Sequence, residues 1–412
     1  MSNFSINSIR KDFSSSALMA GFLAVLISYS GPLLIFFQAA NTANASAEMV
    51  ASWVWGISIG AALSGIFLSI YLRVPVITAW SAPGTALLVT QFTTMSINQA
   101  VASYIVAAVI ILIIGITGSF DRIIKHIPKG IAAAMIAGIL FQFGISSFIS
   151  IENMPLLTIS MILTYLVFKR FLPKYSVIIV LIVGVLVSML TGELKLQSIP
   201  FGIEGPMFIE PDWDLRTTLN FAFPLILVSL TGQFLPGMAV LKSAGYNIKA
   251  KSIIVVSSLA SIVVAFMGGI TITLAAITAA ICTSPESHEN PDKRYISGIV
   301  NGIFYLIGGI FSITIVTMIM GLPKELIAVL AGLALISAIA NSLLNTVADE
   351  EHREASVITF LAVASGMSFA GIGSAFWGVI IGMLAHVIFD KKISNKILGL
   401  FKKQINTKQN ED

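Results

Sequence analysis

The chain has 412 residues, of which 56% are apolar and 11% charged, and its formal net charge is +4. Soluble globular proteins carry roughly 25% charged residues, so these charges cannot cover a 43.9 kDa particle with a polar surface. The composition excludes a water-soluble fold and indicates that the solvent is lipid. The basic residues lie singly or in small clusters between apolar runs, which also excludes a nucleic-acid-binding face.

Apolar segments begin near the N-terminus. Residues 17–40 form an apolar stretch longer than the roughly 7 to 15 residues of a signal-peptide core, and we interpret it as a retained first span. Because a helix needs about 20 apolar residues to cross hydrocarbon, the uncharged runs 74–120 and 252–285 must each hold two crossings. The sequence predicts fourteen transmembrane segments, centred near residues 28, 60, 84, 108, 139, 163, 183, 230, 260, 277, 307, 335, 364 and 382.

The distribution of basic residues supports this count. With the N-terminus in the cytoplasm, 21 of the 24 Lys and Arg residues fall in cytoplasmic connections, as the positive-inside rule requires. Lys195, Arg216 and Lys324 fall outside, and the connection 192–216 is acidic. The sequence therefore predicts a multi-pass protein of the cell (inner) membrane with both termini cytoplasmic.

The two halves of the chain show an internal repeat. Three short matches occur in the same order: residues 77–78 with 272–273 and 127–129 with 322–324 at an offset of 195, and 27–31 with 228–232 at an offset of 201. They indicate a seven-segment unit used twice. Because seven is odd, the second copy is inverted in the membrane, an architecture typical of transporters. Chance similarity among apolar residues is the alternative.

Segments 3 and 10 each open with a short β-favouring run, residues 76–80 and 270–274. At membrane depth the N–H and C=O groups of such a run must be satisfied by protein. We therefore expect the two runs to pair antiparallel, each followed by a half-helix whose first N–H groups are free. The two N-termini, near Ser81 and Ala275, would converge, each with about half a positive charge. The expected result is an anion-attracting site that uses no Arg or Lys.

Three stretches resemble the benzoate/proton symporter family of BenE type, which belongs among transporters with the uracil-permease-like fold. They are Thr78–Gly84 in segment 3, Gly232–Lys242 in segment 8 and Cys282–His288 after segment 10. The resemblance covers nearly the whole chain and implies an all-α polytopic membrane protein that forms one transporter domain. This domain comprises a core, residues 13–120 and 217–321 (segments 1–4 and 8–11), a gate, residues 121–216 and 322–392 (segments 5–7 and 12–14), and a cytoplasmic tail, residues 393–412.

The resemblance implies a secondary active transporter, not an enzyme, that imports benzoate or a related aromatic carboxylate with protons by alternating access of the core against the gate. In the related nucleobase permeases, segment 8 supplies a carboxylate to the substrate ring. Here Gln233 occupies the matching position, and segment 10 has no acid. This difference favours an anionic substrate, which a buried carboxylate would repel. Phe234 stands where the family pattern has Asn, and its ring is expected to stack on an aromatic substrate.

The candidate substrate-binding residues come from segments 1, 3, 8 and 10. Local roles stay open beside ligand contact: Gln233 can bond a neighbouring helix, Trp80 can be ordinary packing, and the break beside Pro32 can be a packing kink. Thr78 and Thr273 can merely favour the β conformation. The set is Tyr29, Ser30, Gly31, Thr78, Ala79, Trp80, Ser81, Gln233, Phe234, Thr273, Leu274 and Ala275.

The remaining residues with functional chemistry point to no second site. Cys282 lies in an apolar run and is expected to be a small core residue. His288 lies in a charged connection, where it is solvated or takes part in coupling, and His386 is expected to be structural. We predict no metal site and no cofactor, and no phosphate loop or catalytic pair lies in the spans. The alternatives are a nucleobase/proton symporter and a passive anion channel of the same fold, and a homodimer through gate glycines such as Gly332 and Gly366 is left open.

Overall fold

The computed structural model describes residues 11–194, 202–203, 205–348, 350, 352–369 and 372–389, without the side chain of His126. The predicted tail, residues 393–412, lies outside the described residues. The helices of the first half are α1 (Ser15–Ser30), α2 (Pro32–Thr42), α3 (Ala47–Leu72), α4 (Ala82–Gln91), α5 (Ile97–Thr117), α6 (Phe120–His126), α7 (Lys129–Asn153), α8 (Pro155–Phe171) and α9 (Ser176–Leu190).

The second half begins at residue 215. Asp214 caps its first helix, because its carboxylate accepts the Thr217 N–H at 2.7 Å, and hydrogen bonds from Thr217 hold the pKa of this carboxyl below its usual value. The helices are α10 (Leu215–Ser229), α11 (Leu235–Ser243), α12 (Ala250–Ala265), α13 (Ala276–Cys282), α14 (Tyr295–Ile310), α15 (Ser312–Met320), α16 (Lys324–Val347), α17 (Arg353–Ala364) and α18 (Ser374–Phe389), with a 3-10 turn at Pro291–Lys293.

Two short buried strands connect the halves. Strand β1 (Thr78–Trp80) pairs antiparallel with β2 (Ile272–Leu274), and Ala79 lies opposite Thr273. These strands lie within the two runs for which the sequence predicts pairing, and helices α4 and α13 follow them. A second hairpin, β3 (Ser368–Phe369) with β4 (Ile372–Gly373), is not predicted by the sequence.

Serine side chains from neighbouring helices bond the backbone at the outer edges of the strand pair. Ser69 of α3 accepts the Val76 N–H at 3.2 Å and donates to the Val76 C=O at 3.2 Å. Ser261 of α12 accepts the Ile272 N–H at 2.8 Å. Each serine therefore satisfies backbone groups that a neighbouring strand would otherwise bond. This allows an isolated pair of strands to exist inside a helical protein.

The helices differ in their ability to cross a membrane alone. Six described helices are long and apolar enough to do so, if α1–α2 and α10–α11 are each taken as one span, and a seventh span results if the bent pair α14–α15 is counted. α14 and α15 meet at 71°. The expected interruption of segment 1 is present at Gly31, since Pro32 begins α2. The count of fourteen segments stays a prediction.

The helices pack in two groups. In the first group, α14 packs on α3 and α1, α12 on α5 and α3, and α10 on α5. In the second group, α16 packs on α7 and α8, α17 on α18 and α7, and α9 on α8. Contacts between the groups are fewer and involve mainly α2 with α16, α1 with α9, and α4 with α7.

Gly332 lies inside the second group. A Cβ at this position would overlap the Ser147 hydroxyl and the Phe143 carbonyl of α7. The glycine therefore allows α16 and α7 to approach closely, as small residues do between membrane helices. A contact with a second protomer through Gly332 would compete with this packing.

Replacing Gly332 by Val would fill the space that the α7 backbone and Ser147 occupy. We expect a loss of stability of about 1–3 kcal/mol and a lower thermal unfolding midpoint in detergent. Gly144→Ala is the matched control, because its added Cβ would meet only Ile339 Cδ1, at 3.3 Å. Equal midpoints for the two variants would contradict the packing described.

Candidate functional site

The strand pair positions the starts of two helices. The Ser81 N–H donates to the Thr271 C=O at 3.0 Å and the Ala275 N–H to the Ile77 C=O at 2.9 Å, so the ladder continues to the first residue of each helix turn. Because the strands are antiparallel, α4 begins at one end of this three-residue strand pair and α13 at the opposite end, near Ser81 and Ala275.

The two helix starts differ in how many N–H groups they offer. At α4 the Ser81 hydroxyl accepts the Gly84 N–H at 3.1 Å, and Pro83 has no N–H. At α13 the cap residue is Ala275, which provides no side-chain cap. The first turn of α13 therefore presents more donors than that of α4, and the two starts are not equivalent.

A cavity of about 1660 Å³ lies between the two helix groups, beside β1. Its volume exceeds the roughly 300–1,000 Å³ of small-molecule sites, so it holds an access path as well as a binding region. The first group lines it with Ile27, Ser28, Gly31, Pro32, Ala79, Trp80, Ala82, Gln233 and the start of α13, and the second group with Ala133, Ile136, Leu140, Val177, Leu333 and Asn341.

One end of the cavity is basic. Lys125, Lys129, Lys169 and Lys174 line it, with Asp121 as the one carboxylate among its described lining residues. Lys169 donates to the Ser337 hydroxyl at 3.0 Å. Clustered positive charge raises the local concentration of anions, so this end, hereafter the mouth, favours entry or exit of an anion.

A π-helical turn places Gln233 on the cavity wall. Residues Leu230–Phe234 form this turn, in which the Leu235 N–H donates to the Leu230 C=O. Pro236 explains it, because proline has no N–H for the Gly232 carbonyl and its ring would clash with that group in a regular helix. The Gln233 side chain makes no hydrogen bond within the described part of the chain, so the alternative of a helix-to-helix bond is not realised there. Such turns are frequent at functional sites.

Five of the predicted site residues line this cavity: Gly31, Ala79, Trp80, Gln233 and Ala275. Trp80 is 3% exposed and packs against the rings of Tyr29 and Tyr305 at 6.0 Å between centroids. It is a wall of the cavity and also part of the packing behind that wall, so both alternatives apply.

Seven predicted residues do not line the cavity in this structure. Four of them hold the fold: Tyr29 bonds Ser58 at 2.7 Å, Thr78 donates to the Ala61 C=O at 2.8 Å, Thr273 donates to the Ala79 C=O at 3.3 Å, and Ser81 caps α4. The others are Ser30, Leu274 and Phe234.

Phe234 is fully buried in a cluster with Leu68, Leu241 and Leu274, behind the cavity wall. The same π-helical turn that exposes Gln233 to the cavity directs the next side chain into the core. The stacking expected from Phe234 is therefore not available in this arrangement.

Thr278 is a cavity residue that the sequence analysis missed. It lies in the first turn of α13, is 4% exposed, and its hydroxyl has no hydrogen-bond partner among the described residues. An unpaired buried hydroxyl costs about 1–3 kcal/mol, so a partner at this position is favoured. Its position three residues after Ala275, in the first turn of the expected half-helix, was the feature of the sequence that could have identified it. The wall residues of α7 and α16 have no such feature in the sequence, because only tertiary packing brings those helices to the cavity.

Three histidine side chains make local contacts in the described part of the chain. His288 Nδ1 accepts the Asn290 N–H at 3.0 Å, which fixes the turn before the 3-10 segment. The rings of His352 and His386 lie 4.1 Å apart, at the start of α17 and near the end of α18. Within the described ranges, no three His, Cys, Asp or Glu side chains are grouped as metal ligands.

Two relatives match this chain along nearly its whole length. "Benzoate membrane transport protein" of Acinetobacter baylyi is 56% identical over 386 residues, covering 94% of this chain and 98% of the relative. "Inner membrane protein YdcO" of Escherichia coli K12 is 41% identical over 373 residues, covering 90% and 95%. The family model described as benzoate membrane transport protein matches residues 11–388.

Solved structures share the fold at low sequence identity. The transmembrane domain of the cyanobacterial bicarbonate transporter BicA has a TM-score of 0.61 at 14% identity, over 90% of this chain and 97% of that chain. SLC26A9 also has a TM-score of 0.61 at 14% identity, over 92% of this chain and 65% of that chain. Likeness at this identity shows the fold alone.

The apolar helices and the family match define a polytopic membrane transport protein, not an enzyme. The chain belongs to the benzoate membrane transport protein family, as the family match and the first relative show, and it is a protein of the inner membrane.

Pro236→Ala tests the π-helical turn. Restoring an N–H at position 236 permits a regular helix, which would rotate residue 233 away from the cavity. With Gln233→Cys as reporter and Cys282→Ser as background, we expect labelling by a water-soluble maleimide to slow several-fold. Pro224→Ala in α10, away from the cavity, is the control and should leave the rate unchanged; equal slowing in both would contradict this role of Pro236.

Proposed function

We propose that this chain imports benzoate or a related aromatic carboxylate together with protons. The observation that carries the proposal is the cavity at two helix starts, with Gln233 on its wall and no acidic residue among its described lining except Asp121 at the mouth. The Acinetobacter relative, named as a benzoate membrane transport protein, supports this substrate class. Proton coupling rests on the resemblance to the benzoate/proton symporters.

The carboxylate is proposed to lie at the starts of α4 and α13, between Ser81 and Ala275. Backbone N–H groups at a helix start bind anions without a full positive charge. α13 has only seven residues, so its contribution comes from the uncapped N–H groups of its first turn more than from a long helix dipole. The unpaired Thr278 hydroxyl is the nearest additional donor in this turn.

The aromatic ring is proposed to lie against Trp80 and Ala79, with Gln233 at its edge. The Trp80 ring is held by Tyr29 and Tyr305, so it offers a rigid aromatic surface. Offset or edge-on contact between rings contributes about 0.5–1.5 kcal/mol beyond burial. The predicted residues that lie behind the cavity wall, such as Tyr29, would act by holding Trp80 and Ala79 in place.

A nucleobase is the less favoured substrate. A nucleobase ring presents N–H donors, which the carboxylate of segment 8 meets in the related permeases; Gln233 and the acid-free α13 do not supply that charge. A carboxylate substrate, in contrast, would be repelled by an acid at these positions.

The proposed architecture has fourteen segments in two inverted copies of seven. The two packing groups support a core at residues 13–120 and 217–321 and a gate at 121–216 and 322–392. With both termini cytoplasmic, the basic mouth faces the cytoplasm and the structure corresponds to an inward-open state. Alternating access would then follow from movement of the core against the gate. A homodimer would need a gate face other than the buried one at Gly332.

Uptake of labelled benzoate into proteoliposomes with an inward proton gradient tests the function. We expect accumulation above equilibrium that an uncoupler abolishes and excess uracil does not reduce. Uptake that only equilibrates would instead indicate a passive anion channel. Competition by uracil would indicate a nucleobase carrier, and either result would overturn the proposal.

Gln233→Ala and Thr278→Val test the two polar side chains proposed at the site. Loss of a hydrogen bond to the carboxylate costs about 1.5–3 kcal/mol, so Thr278→Val should weaken benzoate binding roughly 10- to 100-fold, and Gln233→Ala, which removes a contact with the ring edge, should weaken it less. Ser257→Ala is the matched control for Thr278, because its hydroxyl is also buried and unpaired among the described residues but lies in α12 away from the cavity. Unchanged affinity in Thr278→Val or Gln233→Ala would remove that residue from the site.

A further inference from the structure

The C-terminal end of α13 contacts a buried arginine. Arg294, the residue before α14, is 6% exposed, and its Nη1 donates to the Thr283 C=O at 2.8 Å. Its Nε donates to the His288 C=O at 2.8 Å. Thr283 is the C-cap residue of α13, and carbonyls at a helix end have no partner inside the helix. Arg294 therefore caps this helix end and also fixes the loop that follows it.

No carboxylate neutralises the Arg294 charge within the described ranges. The neighbouring Lys293 pairs with Asp12 at 3.3 Å, and Glu286 pairs with Lys174, but Arg294 forms no ion pair there. A buried charge is usually paired, because its desolvation is costly. Arg294 also stands at the start of α14, where the helix dipole disfavours a cation. The position is thus unfavourable for α14 alone, and the carbonyls at the end of α13 are what compensates the charge.

A second, neutral cap holds the same end of α13. Ser297, in the first turn of α14, donates from its hydroxyl to the Cys282 C=O at 3.2 Å. The other half-helix ends differently, because the last carbonyl of α4, at Gln91, accepts the backbone N–H groups of Thr94 at 3.0 Å and Met95 at 2.9 Å. The charged cap at Arg294 is therefore an addition to a helix end that already has a neutral one.

The shortness of α13 makes a cation at its end matter at its start. The helix has seven residues and is about 10 Å long. Its negative end therefore lies close enough to cancel part of the attraction that the first N–H groups exert on an anion. A cation on the last carbonyls offsets that negative end, and the protein between them screens the charge less than water does. The Thr278 hydroxyl, unpartnered among the described residues and 4% exposed on the cavity wall, independently indicates a ligand at this start.

We propose that Arg294 is a positioning residue for the substrate anion: it fixes α13 against α14 and makes the start of α13 more positive towards the cavity. The inference rests on the proposed function, which places a carboxylate at the helix starts, and it makes α13 the stronger of the two half-helices in holding that carboxylate. It also gives a role to the stretch Cys282–His288, because both carbonyls that Arg294 binds belong to it.

A thiol at the start of α13 measures this potential without any substrate. The reporter is Ile277→Cys, at the second residue of α13, which lines the cavity and is 65% exposed. The background is Cys282→Ser, since Cys282 is the one cysteine of the chain. Only the thiolate reacts, and nearby positive charge increases the thiolate fraction. Arg294→Gln should slow labelling by a neutral methanethiosulfonate near pH 7 about three- to tenfold, and Arg294→Lys, which keeps the charge, should slow it less than about twofold.

Labelling near pH 10 separates charge from structure. Most of the thiol is ionised there, so the rate reports access to the reporter, and all variants should agree within about twofold. Arg294→Met is a second neutral variant, since an apolar side chain often replaces a buried ion without loss of folding, and it should behave as Arg294→Gln does. Equal slowing at both pH values would show a purely structural role and overturn the proposal, as would unchanged labelling near pH 7 in both neutral variants.

Two matched controls isolate the buried charge and the cap. Lys293→Gln removes the same charge one residue away, from a side chain that is 35% exposed. Exposed charges are screened within about 8 Å at physiological salt, so this change should leave the labelling rate unaltered. Ser297→Ala removes the neutral cap of α13 and should also leave it unaltered. Slowing by either control as large as that of Arg294→Gln would contradict the role of the Arg294 charge.

Benzoate binding by the same variants without the reporter gives the functional consequence. Arg294→Gln should raise the dissociation constant of benzoate about three- to tenfold, and Arg294→Lys should keep it within about twofold of the unchanged protein. If the unchanged protein does not bind benzoate, the proposed function fails, and the labelling alone decides whether Arg294 makes the start of α13 positive. If Arg294→Gln slows labelling but binds benzoate as tightly as before, the carboxylate does not lie at α13 and the proposal is wrong.

Discussion

Backbone hydrogen bonding in a medium without water is the constraint on which this structure depends. Inside hydrocarbon an extended segment survives only if every N–H and C=O is satisfied by protein. β1 and β2 meet this condition by pairing with each other along their inner edges and with Ser69 and Ser261 at their outer edges. The chain can therefore change from strand to helix inside the protein, from β1 to α4 and from β2 to α13. Two helices thus begin in the interior, where a continuous membrane-spanning helix would have no start.

In the proposed function, the helix starts determine what kind of ligand the cavity attracts. A carboxylate at the proposed position would meet partial positive charges and N–H donors, while the surrounding walls of Ala79, Trp80 and Ile136 are uncharged. Among the described lining residues, full positive charge is confined to the lysines of the mouth. The proposed arrangement would therefore attract an anion at the entrance and bind it more weakly inside, from where it can be released.

The sequence by itself determined the membrane environment, the strand-forming runs at residues 76–80 and 270–274, and the helix starts near Ser81 and Ala275. Composition, charge-free runs and repeat offsets are local or periodic, so a single chain displays them. Only the tertiary structure decided that a π-helical turn exposes Gln233 and buries Phe234, that Thr78 and Thr273 serve the ribbon, and that Thr278 lies on the cavity wall. It also decided which faces of α7 and α16 complete that wall and that Gly373 meets Asn220. These outcomes depend on the rotation of helices and on contacts between residues more than 100 positions apart, which no local pattern in the sequence records.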